Sequence, residues 1–162
     1  MHNRGQDMSL MGLLDRLFST ANPRVREMAR APLFRCLPRR QLALLATHLD
    51  EVNVEAGKML IREGCRNSTL WVLLEGEVEV LIGNTRQRTL LPGDFFGVST
   101  MLDRRLALGT VKTRTPIRAL VAGVAQFRAI KGNDTVATRL MLAAEDRLRE
   151  NRELHGRPQT AA

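Results

Sequence analysis

The chain has 162 residues, 44% of them hydrophobic and 26% charged, with a formal net charge of +8 and a pI near 11.1. That is the size of one domain with some length left for flanking helices, and the composition is that of a globular protein rather than a disordered, fibrous or disulfide-stapled one. No apolar run approaches the ~20 residues of a membrane-spanning helix, and the N-terminus lacks the apolar stretch of a signal peptide. Cys36 and Cys65 stand in no metal-ligand spacing, so reduced thiols in a cytoplasmic protein are expected. The positive charge does not by itself make a nucleic-acid site. The arginines are scattered through every segment, Arg24, Arg62, Arg118 and Arg149 among them, lysine is confined to Lys58, Lys112 and Lys131, and no tyrosine is present to stack on bases. Solubility, or attraction to an acidic partner protein, accounts for such a charge.

In chain order, the first zone reads as helical to about residue 49. Ser9 can cap a short amphipathic helix with Leu10, Leu13, Leu14, Leu17 and Phe18 on one face. Asn22-Pro23 places a capping side chain ahead of a proline at the first helical position, which predicts a second helix through Ala31. Leu37-Pro38 starts a third, with Leu42, Leu44, Leu45 and Leu49 as its apolar stripe.

From about residue 51 to 121, turn signals recur every few residues: Ala56-Gly57, Glu63-Gly64, Glu75-Gly76, Gly83-Asn84 and Pro92-Gly93-Asp94. Between them lie β-rich runs at 51–54, 59–62, 70–74, 77–82, 88–91 and 108–112. Short strands at this spacing predict an antiparallel sandwich or barrel. Glu77-Val78-Glu79-Val80 alternates as a half-buried strand does, and Trp71 falls in a run expected in the core.

The last zone is helical again. Residues 124–130 predict one short helix, broken by Lys131-Gly132-Asn133. Asp134 then caps a longer helix to about Asn151, with Val136, Leu140, Ala143, Ala144 and Leu148 on one face. The domain plan is an amphipathic extension at 1–22, a domain at 23–152 and a disordered tail at 153–162, an α+β arrangement. No catalytic set assembles: His2, His48 and His155 are isolated, Asp94 reads as a turn residue, and neither a Gly-x-Ser-x-Gly elbow nor a phosphate-binding Walker loop is present. No enzyme and no metal site are expected.

Several segments in order resemble one family. Pro32-Leu33-Phe34, Leu37-Pro38, Val54-Glu55-Ala56-Gly57-Lys58, Leu60-Ile61-Arg62-Glu63-Gly64, Leu73-Leu74-Glu75-Gly76-Glu77-Val78-Glu79-Val80 and Leu91-Pro92-Gly93-Asp94-Phe95-Phe96-Gly97 are similar to the successive motifs of cyclic-nucleotide-binding domains of the catabolite-activator-protein type. The resemblance covers about residues 24 to 150. It implies an eight-stranded antiparallel β-roll flanked by N- and C-terminal helices, with the last helix lying over the ligand.

The resemblance also locates a departure. The family's phosphate-binding cassette runs Phe-Gly-Glu, a short helix, then Pro-Arg-x-Ala-Thr-Val. Aligned without a gap, the glutamate position falls on Val98 and the arginine position on Ala107. In the family the carboxylate accepts a hydrogen bond from the ribose 2′-hydroxyl and the guanidinium pairs with the cyclic phosphate. Two charge-assisted hydrogen bonds at ~1.5–3 kcal/mol each are roughly 3–6 kcal/mol, or about two to four orders of magnitude in affinity. The implied pocket comprises Phe96, Gly97, Val98, Ser99 and Thr100, together with Arg104, Arg105, Ala107, Leu108, Gly109 and Thr110. Ser99 and Thr100 could serve as caps or as phosphate ligands, and the helix N-terminus they open could attract an anion. Arg104 or Arg105 could swing onto a phosphate. With Val98 and Ala107 on an apolar floor, a pocket that is packed shut by its own side chains or vestigial is expected in preference to one with a small apolar or differently shaped ligand.

Three functions follow as expectations. The first is a stand-alone regulatory module that has lost high-affinity cyclic-nucleotide binding and works through a partner protein or a second copy of itself, with Leu10 to Phe18, or Leu140 and Leu148, at the interface. The second is a sensor of cAMP, cGMP or another anion through Arg104 or Arg105. The third, a transcription factor, is disfavoured because the chain stops near the long last helix with no helix-turn-helix after it. No bound cofactor is expected.

Overall fold

Proline order shapes the N-terminal helices of the computed structural model, which describes residues 22–155. Helix α1 (Pro23–Arg30) begins where the Asn22 side chain accepts a hydrogen bond from the Arg24 N–H at 3.0 Å, with proline in the first turn. It ends because Pro32 forces Ala31 into an extended conformation (φ −70°, ψ 133°), after which Pro32–Phe34 form one 3₁₀ turn. Helix α2 (Arg39–Ala46) follows Pro38 and buries Leu42, Ala43 and Leu45. Leu44, expected on that stripe, is instead 59% exposed, because the buried face steps from 42 to 45 to 49 and leaves position 44 pointing away. The expected helix carrying Leu10, Leu13, Leu14, Leu17 and Phe18 lies outside the described residues, as does the tail from Gly156.

Eight antiparallel strands then form two four-stranded sheets. They are β1 (Asp50–Val54), β2 (Met59–Ile61), β3 (Leu70–Glu75), β4 (Val78–Ile82), β5 (Thr85–Leu90), β6 (Phe95–Phe96), β7 (Thr110–Thr113) and β8 (Ile117–Ala122). The sheet orders are β1-β8-β3-β6 and β2-β7-β4-β5, the two-sheet roll that the resemblance implied. The expected strand at 88–91 starts earlier, because Gly83 (φ 52°) and Asn84 (φ 64°) close a two-residue hairpin that pairs Ile82 with Thr85. The expected strand at 108–112 starts later, at Thr110. Two strands were absent from the runs read along the sequence. β6 has only two residues, and β8 is a nearly continuous apolar stretch paired on both sides, so it shows no alternation. β4 likewise buries Val78 but leaves Val80 and Ile82 half-buried, because those two face a cavity rather than packed side chains.

Helix α3 (Val98–Asp103) lies between β6 and β7, and helices α4 (Val124–Lys131) and α5 (Asp134–His155) follow β8. The cap of α5 is Asn133, whose Oδ1 accepts from the Val136 N–H at 3.1 Å, rather than the expected Asp134, which falls in the first turn and complements the helix dipole there. The helix continues to His155, past the expected end near Asn151.

Two cores result. One, beneath the helices, joins Met28, Phe34, Leu49, Leu120, Ile130 and Leu140; the other, inside the roll, joins Leu73, Val78, Leu90, Phe96, Val111 and Ala119. Leu140, considered above as an interface residue, is fully buried in the first core together with Val136 and Ala144, so this face of α5 is spent on its own domain. Leu140→Ala is expected to lower stability by ~2–5 kcal/mol, read as a fall in the urea midpoint at unchanged slope.

On the opposite flank, Arg118 of β8 draws Glu27, Glu51 and Glu75 together, tying α1 to β1 and β3, with the Glu51 and Glu75 contacts at 2.9 and 2.7 Å. The hydrogen bonds from Arg118 hold the Glu27 carboxyl below the usual carboxylate range. None of these four residues lines the cavity described next.

Candidate functional site

The turn from β6 into α3 is built around Gly97, which has φ 88° and lies so close to its neighbours that a Cβ there would overlap the Thr69 carbonyl oxygen. Asn67 fastens the same turn. Its Nδ2 donates to the carbonyls of Thr69 (2.8 Å) and Gly97 (3.2 Å) and to Thr100 Oγ1 (3.0 Å). Thr100 Oγ1 in turn donates to the Gly97 carbonyl at 3.0 Å, so this hydroxyl is engaged within the turn and is not the helix cap expected of it, since no side chain caps the start of α3. At the far end of α3, Arg104 takes the left-handed conformation (φ 54°) and reverses the chain. The segment returns to the roll at Ala107, whose N–H donates to the Cys65 carbonyl and whose carbonyl accepts from the Gly64 N–H, both at 2.8 Å.

Between this cassette, the second sheet and α5 lies a cavity of about 520 Å³, within the size range of small-molecule sites. The expectation of a pocket packed shut is therefore overturned. The reason is visible in Val98, which is fully buried in the core beneath the helices and is absent from the cavity wall; its side chain cannot fill the pocket. Ala107 does line the cavity, but its methyl group is too short to occupy it.

The other sequence candidates divide. Phe96, Gly97, Ser99, Thr100, Arg105, Leu108 and Gly109 lie on the wall. Arg104 does not, because the left-handed turn at its own Cα carries it past the mouth, and Thr110 is engaged in β7, where its Oγ1 accepts from the Glu63 N–H at 3.1 Å. Arg105 reaches the rim with its side chain 67% exposed and its Nε 3.8 Å from Asp103 Oδ2. Trp71, expected in the core, is half-buried and stacks on Phe96 with ring centroids 5.8 Å apart. Leu148, considered above for an interface, lines the cavity instead.

Sequence reading missed the residues that α5 and β5 contribute. Arg147 lines the cavity, places its guanidinium over the Phe95 ring at 5.5 Å and donates from Nη2 to the Phe95 carbonyl. Burial pushes its pKa down to about 10, and the nearby Arg88 charge acts in the same direction while Asp94 and Glu150 oppose it; Arg147 still carries its proton at neutral pH. Arg88 of β5 and Glu150 of α5 form an ion pair at 3.3 Å, and both line the cavity with Gln87. One signal was available: Arg147 sits seven residues after Leu140, on the face that otherwise buries Leu140 and Ala144.

The family model for the cyclic nucleotide-binding domain matches residues 51–134, just over half of the chain. The chain belongs to the cyclic nucleotide-binding domain family. Domains of this family are regulatory rather than catalytic. This domain is 25% identical over 122 residues to a cAMP-dependent protein kinase regulatory subunit of Emericella nidulans, an alignment covering 74% of the chain and 30% of the subunit. The chain spans under a third of the length of the curated relatives it matches. Among solved structures, cAMP-bound PfPKA-R shares the fold with a TM-score of 0.75 at 16% identity, covering 91% of this chain and 50% of that one. The catabolite activator protein of Thermus thermophilus does so with a TM-score of 0.67 at 23% identity, covering 74% and 59%. Among the described residues, no helix is long and apolar enough to cross a membrane.

Proposed function

We propose that this cyclic nucleotide-binding domain is a regulatory module that does not hold a cyclic nucleotide with the usual affinity and that acts through a partner protein. The observation that carries the reading is the state of the two aligned cassette positions. Where the family places a carboxylate and a guanidinium, this chain has Val98, turned into the core, and Ala107, facing an open cavity. The ribose loses its acceptor and the cyclic phosphate its bidentate partner, so a micromolar affinity becomes about 0.1–10 mM. The partner follows from likeness: the relative from Emericella nidulans is by name a regulatory subunit of a kinase.

The test is thermal unfolding with about 1 mM cAMP or cGMP. The parent domain is expected to be stabilised by at most about 1.4 kcal/mol, whereas Ala107→Arg, which returns a guanidinium to the cavity wall, is expected to bind about 10–100 times more tightly and to gain up to ~1.4–2.7 kcal/mol of stabilisation over the parent. A parent domain stabilised as much as the variant defeats the reading.

A further inference from the structure

The charge on the cavity wall has moved rather than vanished. Three guanidiniums, of Arg88, Arg105 and Arg147, face the cavity against a single carboxylate, that of Glu150. Glu150 is committed to Arg88, while the hydrogen bond that Arg147 makes to Phe95 goes to a neutral carbonyl. A guanidinium has five N–H donors, so Arg147 retains capacity for an anion on its cavity side. Burial is the main cause of the lowered Arg147 pKa and repulsion from Arg88 adds to it; an anion seated between the two guanidiniums would relieve that repulsion.

The rest of the wall is the wrong surface for a sugar. Ile61, Val80, Leu90, Phe96, Val111 and Leu148 present hydrocarbon. The polar groups beside them are few, and the Thr100 hydroxyl is already engaged by Asn67 and Gly97. Sugar hydroxyls buried against such a wall would lose hydrogen bonds to water without replacement, whereas an apolar body gains from the same burial.

We propose that the cavity takes an apolar organic acid, its acidic group held between Arg147 of α5 and Arg88 of β5 and its hydrocarbon body against the interior of the roll. The inference rests on the reading above that the cavity is open and lacks the cyclic-nucleotide grip. It adds that the anion anchor lies on the C-terminal helix, so occupancy bears directly on how α5 sits against the second sheet. A bound acid competes with Glu150 for Arg88 and replaces a contact within the domain by one to the ligand.

The experiment is isothermal titration of the full chain with decanoate and with decanol, which share a hydrocarbon body and differ in the anion. Decanoate is expected to bind with one-to-one stoichiometry and at least about tenfold more tightly than decanol, as a charge-assisted contact requires. Arg147→Gln is expected to abolish that preference while leaving decanol unchanged. Should Arg147→Gln fail to fold, Arg88→Gln, at an exposed position on the same wall, is read by the same ratio and is expected to reduce it severalfold. Equal binding of the two compounds, a preference that survives in a folded variant, or no binding of either compound overturns the inference. A parallel titration with cAMP separates the two proposals. Silence from decanoate and from cAMP sinks this inference alone, whereas silence from decanoate with tight cAMP binding sinks both.

Discussion

Gly97→Ala is expected to lower the stability of this domain by about 2–4 kcal/mol, which at this size moves the thermal midpoint by roughly 5–15 °C. Two costs combine. The φ of 88° is one that an alanine adopts only under strain, and the added Cβ would overlap the Thr69 carbonyl oxygen and come within 2.9 Å of Asn67 Nδ2. Neither neighbour can step aside cheaply, since Asn67 holds Thr69, Gly97 and Thr100 through one amide nitrogen. Gly57→Ala is the control: its φ is 77°, but nothing lies within 4 Å of the new Cβ, so only the conformational cost of about 1 kcal/mol applies. Comparable losses in the two variants would show that the close approach at Gly97 has no energetic weight.

Val98→Glu, the change that writes the family's glutamate back into the cassette, is expected to cost about 3–5 kcal/mol and to confer no cyclic-nucleotide binding. Val98 is fully buried against the core beneath the helices and does not face the cavity, so the new carboxylate would be desolvated with no ribose in reach. The pH dependence gives this prediction a signature. Burial favours the protonated acid and raises its pKa in the folded state above the unfolded value of ~4.3. The folded state then binds more protons than the unfolded one, so the deficit is smallest below about pH 4 and grows as pH rises through the raised pKa. Urea unfolding of parent and variant at about pH 4 and pH 7 measures it. A variant as stable as the parent at pH 7, or one that binds cAMP, would mean that position 98 faces the cavity after all. The contrast with Ala107→Arg is instructive: both restore a family side chain, but only position 107 opens onto the ligand space.

The order of helices and strands was largely legible before the structure. Asn22-Pro23, Pro32, Gly76 and Gly83-Asn84 act through local backbone preferences, which any fold must obey. What escaped was whatever depends on long-range company. β8 sits at the centre of its sheet and is covered on both faces, so it carries no alternation to read. Leu44 and Leu45 look alike in sequence, yet one is 59% exposed and the other buried, because only the packing direction of α2 distinguishes them.

The candidate site divides in the same way. That the cassette lacks its glutamate and arginine was legible in the sequence through the resemblance, which sets Val98 and Ala107 at those two positions. Whether the resulting space is filled or open was a tertiary matter, decided by the turn at Gly97 that sends Val98 into the core and by the short methyl group of Ala107. The basic wall was decided there too, since Arg88 and Arg147 lie far apart in the chain and share a cavity wall only because the fold brings α5 up to β5, where Arg88 pairs with Glu150. Local preferences gave most of the helices and six of the strands, while the roll and the missing pair were legible only through the resemblance of successive motifs to the family, whose model matches residues 51–134. Only the tertiary structure decided that a cavity remains and which charges face it, because side-chain direction and charge proximity are set by packing between distant segments.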